Sequence, residues 1–257
     1  MRTLFAPFRT VLTVVAGLIA TLLAAPTAIL IARINPTSPV IDRLAHIWSR
    51  VWFLSAGSTI DVKGQELVDR NRSYIVVANH LSVLDIMACF IAVPLPIRFL
   101  AKKELFSVPI LAPAMRAIGI VEVDRGARSA IHEQVNQQAR ELVASGRSVI
   151  IYPEGTRSRN GQLRSFKKGA FTMAIAGGIP ILPVTIAGTF EAWPAGKIWV
   201  LGGPVKVVID PAIETADLSR DDTGRLAEET RQIIEKRYHE LRRELGNKVL
   251  KRQASSS

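Results

Sequence analysis

The amino-acid sequence predicts an α/β domain with a mixed, largely parallel sheet flanked by helices, behind an N-terminal hydrophobic helical membrane anchor. Two observations predict the domain: from residue 58 onwards short β-branched runs alternate with helical patterns, and no linker divides them. A third predicts the anchor, because residues 11–32 carry no charged side chain. We expect an anchor over residues 1–57, one domain over residues 58–215, and a charged helix with a basic tail over residues 216–257.

The uncharged segment is long enough to cross a membrane, since at about 1.5 Å per residue a helix of this length spans a hydrocarbon core of about 30 Å. Three interpretations stay open: a cleaved signal peptide, a single transmembrane span, and two helices that lie in one leaflet and bend at Pro26. Two arginines precede the segment and three follow soon after it. This bias favours the cytoplasmic face of a bacterial inner membrane for the rest of the chain.

The next segment, residues 38–56, has the pattern of an amphipathic helix. Its apolar residues, including Trp48 and Trp52, recur at steps of three and four, which places them on one helical face. Tryptophans are enriched at membrane interfaces, so this face suits a position at the lipid headgroups. Packing of the same face against the domain is an equally good interpretation.

The order of elements within the domain predicts the parallel sheet. Residues 83–93, 128–145 and 168–177 show helical periodicity, and residues 223–245 form a further charged helix. Strands that alternate with helices pair in parallel, because each crossover returns the chain to the same edge of the sheet. Six β-branched runs predict strands at residues 74–78, 98–101, 120–123, 148–152, 182–187 and 205–209.

The chain is strongly basic, with a formal net charge of +11, which calls for an anionic partner. A hydrophobic fraction of 48% and the uncharged N-terminal segment favour an anionic membrane surface. Nucleic acid is disfavoured, because the sequence has no zinc-finger spacing, no RNA-binding signature and only 6% aromatic residues. The single cysteine, Cys89, lies in an apolar run and is interpreted as a small core residue without chemistry.

The strongest candidate for chemistry is the segment of residues 79–85 (NHLSVLD), where His80 follows a predicted strand. The ends of parallel strands are where open α/β sheets place their sites, and a histidine there can act as a general base near neutral pH. Asp85 is close enough in sequence to reach the far ring nitrogen, fix the tautomer and stabilise the imidazolium. The structural alternative is a capping box, in which Ser82 and Asp85 only close a helix N-terminus.

Two further segments bring an arginine to the end of a predicted strand. Residues 152–158 (YPEGTRS) combine Gly155, which lets a ligand approach the backbone, with Arg157, whose guanidinium can bind a phosphate through two hydrogen bonds. Residues 119–125 (GIVEVDR) end on Arg125. A polar turn and a surface ion pair with Asp124 are the structural alternatives. A fourth segment, residues 179–186 (IPILPVTI), is interpreted as architectural or as a wall for an acyl chain.

Several motifs that would indicate other chemistry are absent from the sequence. It has no Gly-x-Ser-x-Gly elbow, no Walker loop, no Gly-x-Gly-x-x-Gly and no second histidine at metal-ligand spacing. A base without an enzyme nucleophile indicates that the substrate supplies the nucleophile, such as an alcohol. We therefore predict no metal, no cofactor and no covalent enzyme intermediate, and a hydrolase is a poor fit.

Together, in this order and at these spacings, the four segments resemble the glycerolipid acyltransferase family, specifically the 1-acylglycerol-3-phosphate acyltransferases. The resemblance covers residues 60–210 and includes residues 102–105 (KKEL) and 166–169 (FKKG). One departure is Val121-Glu122-Val123, where the family has more apolar residues before its Asp-Arg pair. This departure bears on the packing of that segment and not on its arginine.

The resemblance implies that His80 and Asp85 are the catalytic pair. The implied reaction transfers an acyl group from acyl-CoA or acyl carrier protein to the free sn-2 hydroxyl of lysophosphatidate, at a membrane with anionic lipids, and makes phosphatidic acid for phospholipid biosynthesis. The residues that it assigns to acceptor binding are Arg125, Glu154, Gly155 and Arg157, with Lys102 as an additional phosphate contact.

Two alternatives to this reaction stay open. The acceptor can be another lysolipid, such as a lyso-ornithine lipid, in which case the cations contact the phosphates of CoA. The second alternative is a non-catalytic membrane protein that binds acidic lipids through its basic surface. Such a protein has no need of His80 and Asp85, so their substitution separates it from an enzyme.

Overall fold

The structure, a computed structural model, describes residues 4–109, 111–123 and 129–254. Within these ranges one sheet contains seven strands: β1 (Ser58–Lys63), β2 (Ile75–Ala78), β3 (Ile97–Lys102), β4 (Val121–Val123), β5 (Ser148–Ile151), β6 (Ile181–Ala187) and β7 (Gly203–Ile209). Their order is β1-β7-β6-β2-β5-β3-β4, and every pair of neighbours is parallel except β6 and β7. The predicted mixed, largely parallel sheet is confirmed.

Each of the six predicted strands is present, and β1 was not predicted. Its exposed residues alternate with buried or half-buried ones, and it lies at the edge of the sheet, paired only with β7. A half-exposed edge strand has no continuous apolar run, so the sequence gives a weaker signal there than at β2 and β6, which are buried throughout.

Helices cover both faces of the sheet. On one face, α2 (Pro39–Ser55) and α3 (Leu84–Ala92) share a core with Val76 and Ala78 of β2. On the other face, α5 (Ser129–Ala144), α6 (Gly169–Gly177) and α8 (Thr223–Ala254) pack against Ile75 and Val77. Burial of alternate residues on opposite faces is what a central strand requires. The remaining helices are α1 (Ala6–Ile34), α4 (Leu111–Ala117) and α7 (Thr189–Ala192), of which the two short ones were not predicted.

The uncharged segment forms α1, a single helix that contains Pro26. Among the described residues it is the one helix long and apolar enough to cross a membrane. It packs against α2, where the Trp48 indole donates to the Thr21 hydroxyl at 2.9 Å. Gly17 allows this approach, because a Cβ at that position would lie 2.3 Å from the Trp52 ring. One side of α1 therefore packs on α2.

The amphipathic helix α2 packs its apolar face against the domain. Ile41 and Phe53 are buried, and the half-buried Trp48 and Trp52 pack against the core that α3 shares. The structure therefore favours packing on the domain for these tryptophans over exposure at a membrane interface. Leu54, at 69% exposure, lies outside this contact.

Candidate active site

The site begins at the carboxyl end of β2, where a buried amide joins β2 to its neighbour β6. The Asn79 side chain donates to the Ile186 carbonyl and accepts from the Ile186 N–H, both at 2.8 Å. Asn79 thus continues the strand pairing one residue beyond the end of β2, which fixes the position of His80. The motif that begins at Asn79 was singled out from the sequence, but this function of the asparagine was not.

His80 and Asp85 are in direct contact. Nδ1 of His80 lies 3.0 Å from Oδ2 of Asp85, which is fully buried. The same oxygen accepts from the backbone N–H groups of Leu81 at 2.6 Å and Ser82 at 2.7 Å. The catalytic and the capping interpretations of Asp85 are therefore compatible, because one oxygen orients the imidazole and closes the turn that leads into α3.

Tyr152, the first residue after β5, covers one face of the imidazole. The His80 and Tyr152 rings stack with centroids 4.1 Å apart and an angle of 17° between their planes. The Tyr152 hydroxyl contacts the Cys89 thiol at 3.6 Å, and burial raises the pKa of that thiol to about 12. Cys89 is thus a neutral core residue. The sequence does not predict this stacking, because Tyr152 and His80 are far apart in the chain and meet only when β5 pairs with β2.

Glu154 connects the His80 turn to the loop that follows β5. Its buried carboxylate accepts from the backbone N–H of His80 at 2.7 Å and from that of Arg164 at 3.0 Å. Burial raises the pKa of Glu154 to about 7, although these two hydrogen bonds act in the opposite direction. Both carboxylate oxygens have backbone partners, so positioning is the role of Glu154 for which the structure provides contacts.

Gly155 adopts a left-handed conformation with φ of +73°, which favours glycine. A Cβ at this position would lie 3.0 Å from the Nζ of Lys167, so the lysine side chain covers this glycine closely. Ser158 then returns to the active site, where its N–H donates to the His80 carbonyl at 3.0 Å. The segment of residues 152–158 therefore contacts the ring, the N–H and the carbonyl of His80.

The predicted phosphate-binding residues are distributed as follows. Arg157 is exposed and lines a groove of about 660 Å³ with Arg159 and Arg164. Lys102 is the last residue of β3, so its backbone lies at the same carboxyl edge of the sheet as His80, but its side chain lies outside what the structure describes. Arg125 also lies outside the described residues.

An apolar cavity of about 320 Å³ lies on the helical side of the site, between α1, α2, α3 and α4. Val83 and Ile86, next to the His80 turn, and Trp193 line it. Within the described parts of the chain, no group of three or more His, Cys, Asp or Glu residues is placed to hold a metal ion. The site thus offers a positioned base, an exposed arginine and an apolar cavity.

A family model described as Acyltransferase matches residues 59–187, which include His80, Asp85 and the loop after β5. The chain belongs to the acyltransferase family. A 1-acyl-sn-glycerol-3-phosphate acyltransferase of Borreliella burgdorferi is 32% identical over 188 residues, which are 73% of this chain and 74% of that protein. A chloroplastic protein of the same name from Brassica napus is 34% identical over 196 residues, 74% of this chain and 56% of that protein.

The solved structure of an acyltransferase extends this similarity to the helical N-terminus. The crystal structure of the 1-acyl-sn-glycerophosphate acyltransferase from Thermotoga maritima is similar with a TM-score of 0.81 and 25% identity. The match covers 94% of this chain and 98% of that one. The chain spans little more than half the length of the plant acyltransferases that it resembles.

Proposed function

We propose that this acyltransferase transfers an acyl group from a thioester donor to the free sn-2 hydroxyl of 1-acylglycerol-3-phosphate and so makes phosphatidic acid. The observation that carries the proposal is the contact of His80 with the fully buried carboxylate of Asp85 at the carboxyl edge of the sheet. Relatives named 1-acyl-sn-glycerol-3-phosphate acyltransferase support the same reaction. A buried Asp on Nδ1 leaves Nε2 of the imidazole to accept a proton.

In the proposed mechanism, Nε2 of His80 removes the proton of the acceptor hydroxyl as its oxygen attacks the thioester carbonyl carbon. The negative charge of Asp85 stabilises the imidazolium that forms, and the Tyr152 ring face adds a favourable contact to that cation. The carbon–sulfur bond of the tetrahedral intermediate then breaks. The thiolate leaves with the proton from His80, so the enzyme returns to its starting state without a covalent intermediate.

Arg157 is the described residue best suited to the phosphate of the acceptor. It follows Gly155 and Thr156 on the loop that contacts His80, and a guanidinium can hold a phosphate through two parallel hydrogen bonds. Glu154 and Gly155 shape the acceptor side of the same loop, and we assign Arg125 and Lys102 to the phosphate as well. The apolar cavity beside Val83 suits an acyl chain.

We further propose that α1 anchors the enzyme at the cytoplasmic face of a bacterial inner membrane. The support is an apolar helix whose large side chains are mostly exposed, such as Leu18, Ile19 and Leu23 at 55%, 53% and 68%. An exposed apolar surface of this length is unfavourable in water and favourable in lipid. The basic chain adds attraction to anionic headgroups.

The test is an acyl-transfer assay on the purified full-length chain in detergent. It is offered acyl-CoA with lysophosphatidate, with lyso-ornithine lipid and with lysophosphatidylcholine, and the products are separated by thin-layer chromatography. We expect acylation of lysophosphatidate, and a fall of about 10²- to 10⁴-fold in His80→Ala. The matched control is His239→Ala, which removes an exposed histidine of α8. Preference for a phosphate-free acceptor, or normal turnover in folded His80→Ala, contradicts the proposal.

A further inference from the structure

The connection between α7 and β7 exposes two large apolar side chains to solvent. Residues 194–199, here called the apolar loop, end with Ile198 and Trp199, which are 73% and 51% exposed. Among the described residues that follow α2, no other large hydrophobic side chain is as exposed. Lys197, which precedes this pair, is exposed as well. Single exposed apolar residues are common on protein surfaces, so the surroundings of this pair decide what it means.

The apolar loop is closed by hydrogen bonds at its base. The Trp193 indole donates to the Lys197 carbonyl at 3.1 Å, and the Leu201 N–H donates to the Ala192 carbonyl at 2.8 Å. These contacts hold the loop backbone in one conformation, which presents the two apolar side chains outwards. A surface that binds them therefore has little loop entropy to overcome.

The apolar loop lies beside the N-terminal part of α1. The N–H of Val200 donates to the Thr10 hydroxyl at 2.9 Å, and Trp199 is the residue directly before Val200. On α1, Phe8 and Val11 are exposed within one turn of Thr10. The exposed side chains of the loop are therefore near those of the one described helix that is apolar and long enough to cross a membrane.

The apolar loop also lies at the same edge of the sheet as His80. It follows β6 and α7 and leads into β7, and β6 is parallel to β2, so the carboxyl ends of both strands are at this edge. The Ser82 hydroxyl, in the turn that carries His80, donates to the Trp193 carbonyl at 2.7 Å. A membrane surface that covers the loop is therefore close to the edge at which a lipid acceptor must reach His80.

We infer that the apolar loop is a second membrane contact, in which Ile198 and Trp199 enter the interface between the lipid headgroups and the acyl chains. The inference rests on the proposed anchoring by α1 and adds to it a contact made by the domain. The headgroup region suits this loop, because an indole combines an apolar body with a polar N–H and the Lys197 ammonium attracts anionic headgroups. A second copy of the chain suits it less, since two side chains by themselves offer far less than the roughly 800 Å² per partner of a standard protein interface.

The first test measures the depth of the loop directly. Ile198→Cys in the full-length chain is labelled with a nitroxide and bound to liposomes of phosphatidylethanolamine and phosphatidylglycerol. Cys89 is fully buried, so the reagent reacts at position 198. Electron paramagnetic resonance then compares collisions of the label with oxygen, which concentrates in lipid, and with a water-soluble nickel complex. We expect oxygen to be favoured over nickel at position 198.

The matched control is the same label on Leu67→Cys. Leu67 is 48% exposed and follows β1, whose first residue pairs with Gly203 just after the apolar loop, so it lies at the opposite end of that strand. We expect the label there to collide mainly with the nickel complex. Equal ratios at the two positions overturn the inference. So does protection of position 198 from both reagents with spin–spin broadening, the result that a contact between two copies of the chain would give.

The second test measures binding when the helical anchor is weakened. In the Ile19→Lys/Leu23→Lys background, Ile198→Ser/Trp199→Ser should lower the liposome partition coefficient about tenfold or more, because two apolar side chains are lost from the interface. Leu67→Ser in the same background should change it less than twofold, and no effect of the loop substitutions overturns the inference. If the wild type does not float with liposomes, the proposed anchoring fails as well. A wild type that floats while position 198 stays accessible to nickel overturns the loop contact alone.

Discussion

The imidazole of His80 is positioned by two residues from different elements. Asp85 approaches it from the start of α3 and contacts Nδ1, and Tyr152 approaches from the end of β5 and covers one ring face. The side chain is only 13% exposed, so its freedom to rotate is small. Positioning of this kind allows a weak base to act at a defined atom of the substrate.

Substitution of Asp85 by asparagine separates orientation from charge. Asp85→Asn can still accept from the N–H groups of Leu81 and Ser82, but it cannot stabilise the imidazolium. Oδ1 of Asp85 is buried and has no partner among the described residues, so an amide there costs about 1–3 kcal/mol of stability. We expect a folded variant with a kcat/KM about 10²-fold or more below wild type, checked by circular dichroism and turnover. Activity within a few fold of wild type would leave Asp85 with the capping role alone.

The stack of Tyr152 on His80 predicts a positioning effect that depends on the ring and not on the hydroxyl. Tyr152→Phe keeps the ring and should retain nearly full activity. Tyr152→Leu loses it, and kcat should fall about two- to tenfold with little change in KM, as expected for an aromatic contact of about 0.5–1.5 kcal/mol. A loss of equal size in both variants would show that the contact with the Cys89 thiol is the important one.

The proposed contact of Arg157 with the acceptor phosphate predicts a specific kinetic change. Arg157→Ala should lower kcat/KM for lysophosphatidate about ten- to a hundredfold, the effect of losing a charge-assisted bond of roughly 1.5–3 kcal/mol. KM for acyl-CoA should move much less, and Arg157→Lys should recover only part of the loss. Both KM values are measured on each variant. An effect confined to acyl-CoA would exclude lysophosphatidate as the ligand of Arg157.

At the scale of elements, α1 packs on the domain and is proposed to anchor it in the membrane, and a deletion cannot separate these two roles. One side of the helix contacts the domain, where the Thr13 hydroxyl donates to the Ser55 carbonyl at 2.9 Å and the Val200 N–H donates to the Thr10 hydroxyl at the same distance. Removal of residues 1–35 would expose the apolar surfaces that α1 covers on α2 and α4. Anchoring is therefore best tested by substitutions on the exposed side of α1 in the full-length chain.

Lysines on the exposed side of α1 should weaken membrane attachment and leave the fold intact. We expect Ile19→Lys/Leu23→Lys to shift the protein from the floating to the soluble fraction in liposome flotation, because a lysine in the bilayer costs about 2.5–3.5 kcal/mol. The matched control is Leu67→Lys, at a residue that is 48% exposed and far from α1 in sequence. The wild type should stay bound in high salt. Its release by salt alone would mean that adhesion is electrostatic.

At the scale of the whole molecule, the buried Glu154 makes stability depend on pH. Burial raises its pKa from 4.5 to about 7, so the folded state holds a proton that the unfolded state has lost between these values. The stabilisation that this proton contributes is fully present below about pH 4.5 and is lost as the pH rises through about 7. With about 1.4 kcal/mol for each pH unit, the free energy of unfolding should fall by about 3 kcal/mol across this window.

This dependence is measured as the difference in Tm between wild type and Glu154→Gln from pH 4.5 to 8. The glutamine keeps the shape of the glutamate side chain and does not titrate. The Tm of the wild type should therefore fall relative to that of the variant as the pH rises. A constant difference would mean that Glu154 stays ionised in the fold, held by the N–H groups of His80 and Arg164.

Much of the fold and the contact between His80 and Asp85 could be predicted from the sequence, because both depend on local patterns. The strands that are buried on both faces are continuous apolar runs, and α1 is an uncharged helix of membrane length. His80 and Asp85 lie five residues apart across one strand–helix turn, so their contact needs only local geometry. The resemblance of four segments to one family then predicts the reaction.

Other features depended on tertiary structure, because they join residues that are far apart in the chain. Tyr152 reaches His80 only when β5 pairs with β2, and Asn79 reaches Ile186 only when β2 pairs with β6. Glu154 lies in a segment whose resemblance predicts substrate binding, yet its carboxylate contacts backbone N–H groups on both sides of the site. Local sequence determines which side chains can do chemistry, and the order of strands decides which of them meet, because sheet pairing brings distant segments to one edge.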